Sequence, residues 1–363
     1  MSTDKLFPTT VIGSMPRPLA VKDLLNAREK GSISESDFSK RCDAAVQYAI
    51  AVQEQAGIDI ISDGEWRRTS YLDVVTEAMN GFQYVEREQF TYHKCITQKM
   101  TRKREAVIAE EASFLKKHTT RGTKACLPSP YLMGTRMWEP AYSKEAYPTR
   151  EEFMWALVPI IRQELLTLKA VGVDVIQLDE PHLCVFVDEK VRAQFDDPQA
   201  EMQSAVDMIN AIVEGVEGAT FAVHLCRRNW ERRGWGAEGG YEAILPYIQQ
   251  LQVNMLMLEF AIPVAGDVAI LSQLPEHFQI GVGCVDCRFP EIETPETIAE
   301  RVEKAAQHVS PKRLHLNPDC GFAPGMLSEV PLDEAYAKLK NEATAAGFLR
   351  KKYAGTTGKC ATG

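Results

Sequence analysis

Eight times along the chain, a short run of β-branched and apolar residues ends in Gly, Pro or a polar residue and gives way to a stretch with helical periodicity. The runs lie at residues 10–14, 58–64, 124–128, 173–179, 220–226, 255–259, 279–285 and 313–317. Strands that alternate with helices pair in parallel through right-handed crossovers, and eight such units favour a closed (β/α)8 barrel over an open sheet. The intervening stretches agree. In residues 150–170, Phe153, Ala156, Leu157, Ile160, Ile161, Leu165 and Leu168 recur at three- and four-residue spacing, and Gly172 supplies a stop. Residues 204–216 read the same way, as do residues 294–308, where Thr294 is a candidate N-cap, Pro295 fits the first helical position and Glu296 adds first-turn acidity.

One interval breaks the rhythm. About 60 residues separate the second and third runs, well beyond an ordinary connection. Residues 80–122 carry alternating and charged helical stretches but too few apolar residues for a core of their own. The expected fold is therefore an α/β TIM barrel with a hairpin/helical elaboration inserted after strand 2. It forms one catalytic domain over residues 1–350, and residues 351–363 form a polar tail. A chain of 363 residues, 45% hydrophobic, can bury such a core without disulfides. The formal net charge of −9 argues against a broad basic face, and so against a nucleic-acid partner. The densest basic run, from Lys99 to Arg104, is followed by Glu105, Glu110 and Glu111 and reads as a solvated face. No 18-residue apolar stretch is present, so no membrane span is expected. No apolar segment of a secretory leader follows Met1 to Lys5. The expected setting is cytoplasmic and reducing, where the nine cysteines serve metal, catalysis or packing sooner than disulfides.

In a barrel of this kind the reactive residues sit where strands end, at the C-terminal face. Here Ser14 ends the first run, Glu65 follows the second, Asp179 ends the fourth, and His224 and Cys226 end the fifth. Glu259 ends the sixth, Asp286 follows the seventh and Cys320 the eighth. Residues two apart on a strand point to the same side, so if Val223 and Leu225 face the helices, His224 and Cys226 both enter the barrel. Together with Cys320 and Glu259 they make a soft Cys2His set with one carboxylate or open position, which suits catalytic Zn2+. Glu65 and Asp179 are open to three readings: general acid and base, a seat for a substrate ammonium, or ion pairs with Arg67, Arg68 or Arg227. Gly13-Ser14 has the composition to offer backbone N–H groups to a carboxylate. His182 and Cys184 form a second H-x-C, but Pro181 marks a helix start there. Cys284 and Cys287 form a single C-x-x-C without a matching pair. His315 reads as a hydrogen-bonded core histidine, and Cys42, Cys95, Cys126 and Cys360 as structural or solvent-facing thiols.

Taken in order, the motifs Phe7-Pro8-Thr9-Thr10-Val11-Ile12-Gly13-Ser14, Asp63-Gly64-Glu65, Gln177-Leu178-Asp179-Glu180-Pro181, His224-Leu225-Cys226, Leu258-Glu259 and Asn317-Pro318-Asp319-Cys320-Gly321 resemble the catalytic half of the cobalamin-independent methionine synthase family, within the wider superfamily that includes uroporphyrinogen decarboxylase. The resemblance spans roughly residues 7–345. It implies zinc held by His224, Cys226, Glu259 and Cys320. It also implies that Ile12, Gly13 and Ser14 grip the carboxylate of homocysteine while Glu65 and Asp179 hold its amino group. The implied activity is transfer of a methyl group to the thiol, from 5-methyltetrahydrofolate or a methylcorrinoid. Zinc stabilises the thiolate at neutral pH, and Glu259, the hard ligand, is the natural one to loosen when sulfur arrives.

Two features depart from the family pattern. The full-length synthases carry a second, N-terminal barrel that helps hold the folate tail and has no counterpart here, which opens a place for a corrinoid protein as partner. Two residues after Asp286, where the synthases have a histidine associated with proton delivery, this chain has Arg288, which stays charged and cannot shuttle a proton. Asp286 and Arg288 nonetheless count as candidate catalytic residues with Glu259, and Arg288 suggests a contact to an anionic substrate end. That raises an alternative, an epoxyalkane–coenzyme M transferase-like zinc enzyme, against which the acidic pair Glu65 and Asp179 argues by repelling a sulfonate. A decarboxylase-type barrel would need no metal and leaves His224, Cys226 and Cys320 unexplained. A purely structural zinc protein would show a closed fourth ligand.

Overall fold

The β-branched runs assemble into one curled parallel sheet. The computed structural model describes residues 5–87, 90–105, 107–323, 325 and 328–354. The sheet contains β1 (Ile60–Ile61), β4 (Gly122–Pro128), β5 (Val175–Asp179), β6 (Thr220–His224), β7 (Met255–Met257), β8 (Gln279–Gly281) and β9 (Leu314–His315), neighbouring in that order and parallel throughout. Thr9 and Thr10 stand between its two edges. Thr9 bridges Leu316 and Thr10 bridges Ile60, both in parallel. The Thr10 N–H donates to the Leu316 carbonyl at 2.9 Å and the Ile60 N–H to the Thr9 carbonyl at 3.0 Å. These two residues supply the eighth stave and complete the expected barrel.

The first strand is thus much shorter than the run at residues 10–14 suggests. Beyond Thr10, side chains replace the ladder. The Ile12 carbonyl accepts from Cys126 Sγ at 3.0 Å and Gln177 Nε2 at 3.1 Å, and the Gly13 carbonyl accepts from Ser62 Oγ at 2.6 Å. A backbone satisfied in this way is free of strand geometry, and the chain turns at Gly13 and Ser14 into the barrel mouth.

Alternation along the strands sorts residues between two cores. Ile176, Leu178, Val223, Leu225, Leu256, Leu258, Ile280 and Leu316 pack outward with the helices in the large apolar core. Ile12, Ile60, Val175, Ala222, Met255 and Met257 form a small cluster of their own. The Lys124 ammonium is buried, donating to the Val11 carbonyl at 2.7 Å and to Gln177 Oε1 at 3.1 Å, and burial lowers its pKa to about 8.

The helices follow their sequence signals. The helix Arg150–Val171 is capped by Thr149 Oγ1, which accepts the Glu152 N–H at 3.1 Å, and stops at Gly172 with φ 81°. The helix Pro295–Ala305 is capped by Thr294. The helix Pro198–Val213 starts six residues earlier than the periodicity indicates, because Asp197 caps it on the Ala200 N–H. After β1 comes the inserted elaboration: the antiparallel pair β2 (Met79–Arg87) and β3 (Phe90–Arg102), then the helix Val107–Lys117. The basic run there is not simply a solvated face, since Arg102 ion-pairs with the buried Glu164 at 2.8 Å and Arg104 with Glu110 at 2.6 Å. Among the described residues no helix is long and apolar enough to cross a membrane.

The last helix, Leu332–Ala354, takes in residues 351–354, which were expected to belong to the tail, because it locks the barrel seam. The remaining tail, including Cys360, lies outside the described residues. Arg350 donates to the Leu6 and Phe7 carbonyls at 2.8 and 2.6 Å and pairs with Asp59 at 2.6 Å. Asp59 also accepts from Lys5 and from the Thr9 N–H at 3.0 Å. Burial opposes its charge, but these partners outweigh burial and hold its carboxyl below the ordinary aspartate range. Asp59→Ala should therefore cost about 1–3 kcal/mol, since it strands donors at the seam. The thermal midpoint should drop at pH 7. Because the folded-state pKa is depressed, the gap from wild type should close as the pH falls through and below the aspartate range. An unchanged midpoint at pH 7 would contradict this role.

Candidate metal centre and substrate pocket

His224 is the last residue of β6, and Asp179, the last of β5, lies beside it in register. Its Nδ1 sits 3.1 Å from the Met257 carbonyl, an acceptor, so Nδ1 carries the proton and Nε2 the lone pair. That Nε2 is buried with no hydrogen-bond partner. Val223 and Leu225 face the helices, as the alternation requires, and Cys226 follows on the inner side. Cys320 arrives from the loop after β9, five residues beyond His315. The Cys226 and Cys320 sulfurs are 3.5 Å apart as free thiols, and the ligand atoms of His224, Cys226 and Cys320 all lie within 4.8 Å of one another.

The geometry suits a tetrahedral ion. Two thiolates on zinc at 2.3 Å each stand about 3.8 Å apart at the tetrahedral angle, close to the spacing seen. Even without an ion, the Cys226 thiol is drawn well below its ordinary pKa by the hydrogen bond from Cys320 and the neighbouring His224, against the cost of burial. Cys320, which keeps the shared proton, moves up.

Across the pocket stand Glu65, Cys126 and Asp179, whose ligand atoms also lie within 4.8 Å of one another, all buried. Glu65 has φ +59° directly after Gly64 at φ +71°, a left-handed turn that a glutamate adopts only under constraint. A Cβ on Gly13 would come 2.5 Å from Glu65 Oε1, so glycine there lets the carboxylate lie against the backbone. Burial raises Glu65 to about pH 7 and Asp179 to about 6, each pushed further by neighbouring negative charge. The ion-pair reading of these acids does not hold. Arg67 pairs with Asp43, Arg68 with Glu111, and Arg227 donates to the Gly239 and Ala265 carbonyls. What remains is an anionic wall lacking a bound cation partner, which suits a ligand ammonium.

A cavity of about 340 Å³ joins the two clusters, and Ile12, Gly13 and Ser14 line it between them. Tyr71, Arg136, His182, Arg228 and Trp230 line it as well, none of which sequence reasoning singled out as site residues. His182 does start a short helix, Pro181–Cys184, as Pro181 indicates, but its ring turns to the pocket and accepts from Arg228 Nη2 at 3.0 Å. For His182, Arg228 and Trp230 the available signal was position alone: they follow the ends of β5 and β6, which carry Asp179 and His224.

Residues 7–347 match the family described as cobalamin-independent synthase, catalytic domain. The chain belongs to this family. It is 30% identical to the methionine synthase of Pyrococcus horikoshii over 352 residues, covering 96% of this chain and 94% of that protein. It is 29% identical to the methionine synthase of Thermococcus kodakarensis over 354 residues, covering 96% and 95%. In fold it is similar to the B12-independent methionine synthase of Shewanella sp. W3-18-1, solved with selenomethionine, with a TM-score of 0.79, 24% identity, and coverage of 96% of this chain and 99% of that one.

Within this synthase fold, three candidate residues lie apart from the pocket lining. Glu259 is fully buried, does not come within 4.8 Å of all three members of the His224 cluster, and has Oε1 3.0 Å from Arg288 Nη2. Arg288 is itself fully buried and does not line the cavity, so the contact to an anionic substrate end that its charge suggested has no place on the pocket wall. Asp286 Oδ1 accepts the Arg288 N–H at 2.9 Å, shaping the loop and not the cavity. His315 is not hydrogen-bonded through Nδ1, and burial lowers its pKa to about 4. Cys284 and Cys287 are buried free thiols, as are Cys42 and Cys126, and Cys95 is buried as well.

The acid wall gives a direct measurement. Infrared difference spectra between wild type and Glu65→Gln should contain a protonated carboxyl band that disappears with a midpoint near pH 7 in the unliganded protein. A midpoint at the ordinary glutamate value near 4.3 would mean that the wall is solvated.

Proposed function

We propose that this synthase-family protein is a zinc-dependent S-methyltransferase that converts homocysteine to methionine. The observation that carries the reading is the pairing of two clusters across one cavity: a Cys2His set with an orphaned imidazole nitrogen on one side, and on the other two buried acids, Glu65 with an unpartnered oxygen and Asp179 held by Gln177. An amino-acid thiol presents matching ends, a soft sulfur and an ammonium.

His224, Cys226 and Cys320 would hold the zinc, which when bound supplies Lewis acidity that keeps a substrate thiol ionised at neutral pH. The remaining work belongs to the chain. The Met257 carbonyl fixes the His224 tautomer, as carbonyl partners of metal-bound histidines commonly do. Glu65 and Asp179 give up their protons to receive the substrate ammonium. Gly13 and Ser14, beside Glu65, stand where the carboxylate of an α-amino acid would lie. Three-point attachment of this kind fixes the sulfur in direction as well as place, the condition for in-line attack on a methyl group. The methyl donor enters from the mouth past Tyr71, Arg136, Arg228 and Trp230. Because Arg288 is sealed away, the feature that pointed toward a sulfonate thiol is not exposed to substrate.

Freshly purified protein should contain about one zinc per chain, as one catalytic site requires, and Cys320→Ser should lose it while keeping its far-ultraviolet circular dichroism. Metal analysis finding no zinc in wild type would sink the metal reading. The zinc form should methylate homocysteine when supplied with 5-methyltetrahydrofolate or methylcobalamin, assayed side by side to identify the donor, and should leave coenzyme M unmodified. Methylation of coenzyme M but not homocysteine would overturn the substrate assignment.

A further inference from the structure

Arg228 follows Cys226 by two residues in the chain leaving β6, and it lines the cavity. Its backbone lies in the left-handed region at φ +64°, which a bulky residue adopts only when its surroundings impose it. Arg288 imposes it here, donating from Nη2 and Nε to the Arg228 carbonyl at 2.8 and 3.3 Å. The Arg228 Nη2 donates to His182 at 3.0 Å, while its Nε is buried with no hydrogen-bond partner. No carboxylate forms an ion pair with Arg228 among the described residues, and the charge acting most strongly on it is that of Arg136, which lines the same cavity. Burial and that like charge both disfavour its cationic form. His182 brings no negative charge, since burial, and then Arg228, Arg136 and Arg150, hold its ring neutral. Tyr71 lines the cavity too, with a hydroxyl that burial keeps protonated and able to donate. The groups acting on Arg228 include Cys226 but neither Glu65 nor Asp179. One cavity thus has a positive region beside the metal cluster, distinct from its acid wall.

We propose that Arg228, with Tyr71 and the charge of Arg136 beside it, forms a subsite for an anionic group, a carboxylate or a phosphate, carried by the methyl donor. An arginine held partly out of water without a counter-ion is an incomplete ion pair, and the anion completes it. Hydrogen bonds from a guanidinium to an anion are roughly twice as strong as neutral ones. A short amino-acid thiol, with its ammonium at Glu65 and Asp179 and its carboxylate by Gly13 and Ser14, has no group left for this region. The second reactant therefore supplies it. Naming the donor as the carrier rests on the methyltransferase reading, whereas the anion subsite rests on the cavity alone.

Calorimetric titration of the zinc-loaded protein with inorganic phosphate, and separately with acetate, at constant ionic strength tests the subsite. At least one anion should bind saturably, and saturating homocysteine should leave its affinity unchanged. Tighter phosphate than acetate assigns a phosphate-bearing donor, and the reverse order a carboxylate-bearing one. Arg228→Gln should weaken the better anion by about tenfold or more, the loss of one hydrogen bond from a charged group. Arg67→Gln, whose arginine pairs with Asp43 instead, should bind it as wild type does. No saturable binding of either anion would overturn the proposal, as would undiminished binding in Arg228→Gln. Displacement of the anion by homocysteine would overturn it too, because the arginine would then serve the amino acid's own carboxylate. If Arg228→Gln fails to fold, Arg136→Gln takes its place and should weaken the anion likewise. Failure of homocysteine to bind while phosphate or acetate still does would sink the proposed function and leave the subsite standing, so the two readings fail separately.

Discussion

The strict alternation of side chains along β6 is the constraint on which the site depends. A strand buried on both faces has no solvent side, so each residue must satisfy either the helix layer or the barrel interior. Val223 and Leu225 belong to the helix layer, and this leaves His224 and Cys226 inside, where an unpaired polar atom is expensive. The cost is partly met by protein, through the Met257 carbonyl and the Cys320 sulfur, and partly left outstanding at His224 Nε2. A one-residue slip of register would put the imidazole and the thiol among the helices. The pairing of Asp179 with His224 in the ladder between β5 and β6 ties the acid wall to the same register. One ladder thus sets the direction of both clusters.

Charge in the barrel mouth is partitioned into compartments. The anionic wall of Glu65 and Asp179 pairs with no arginine, although Arg17 and Arg68 are near enough to act on Glu65 electrostatically. Those guanidiniums have other partners. Arg17 donates to the carbonyls of Glu65 and Ala323 at 2.9 Å, and Arg68 pairs with Glu111. Behind the metal cluster, Arg288 neutralises Glu259 and Asp319 within a sealed triad. Unfilled demand on the pocket wall includes the His224 imidazole nitrogen at one end and a Glu65 carboxylate oxygen at the other.

Most of the architecture was legible in the sequence, because it is written in period and punctuation. Thr149 with Gly172, and Thr294 with Pro295, bound their helices where capping chemistry says they should. His224, Cys226 and Cys320 were legible as a cluster because strand ends in a closed parallel barrel converge. Less legible were features set by competition between partners. The first strand stops at Thr10 because Cys126, Gln177 and Ser62 take the carbonyls that follow, and nothing local to residues 10–14 announces those donors. Glu259 reads as a ligand from its place at a strand end, and nothing local to it announces its two neighbours, the Arg227 N–H and Arg288, 29 residues later. Cys126 looks like an ordinary core thiol until Glu65 and Asp179 are brought beside it from two other strand ends.

The separation of the two clusters also bears on selectivity. On the proposed function, a site that ionises a thiol and seats an ammonium would discriminate at two points, and the penalties for failing each would be of different kinds. A thiol lacking the ammonium leaves Glu65 and Asp179 to keep their protons or to bear unpaired charge, a loss that grows as the pH rises above their raised pKa values. On the same reading, an amino acid lacking sulfur would fill the acid wall but leave the metal without its soft ligand. Neither partial ligand releases the whole of the stored demand, and a ligand with both ends must also be short enough to lie within one cavity of about 340 Å³. On that reading, selectivity for a small amino-acid thiol would follow from polar groups held at fixed separation within the cavity.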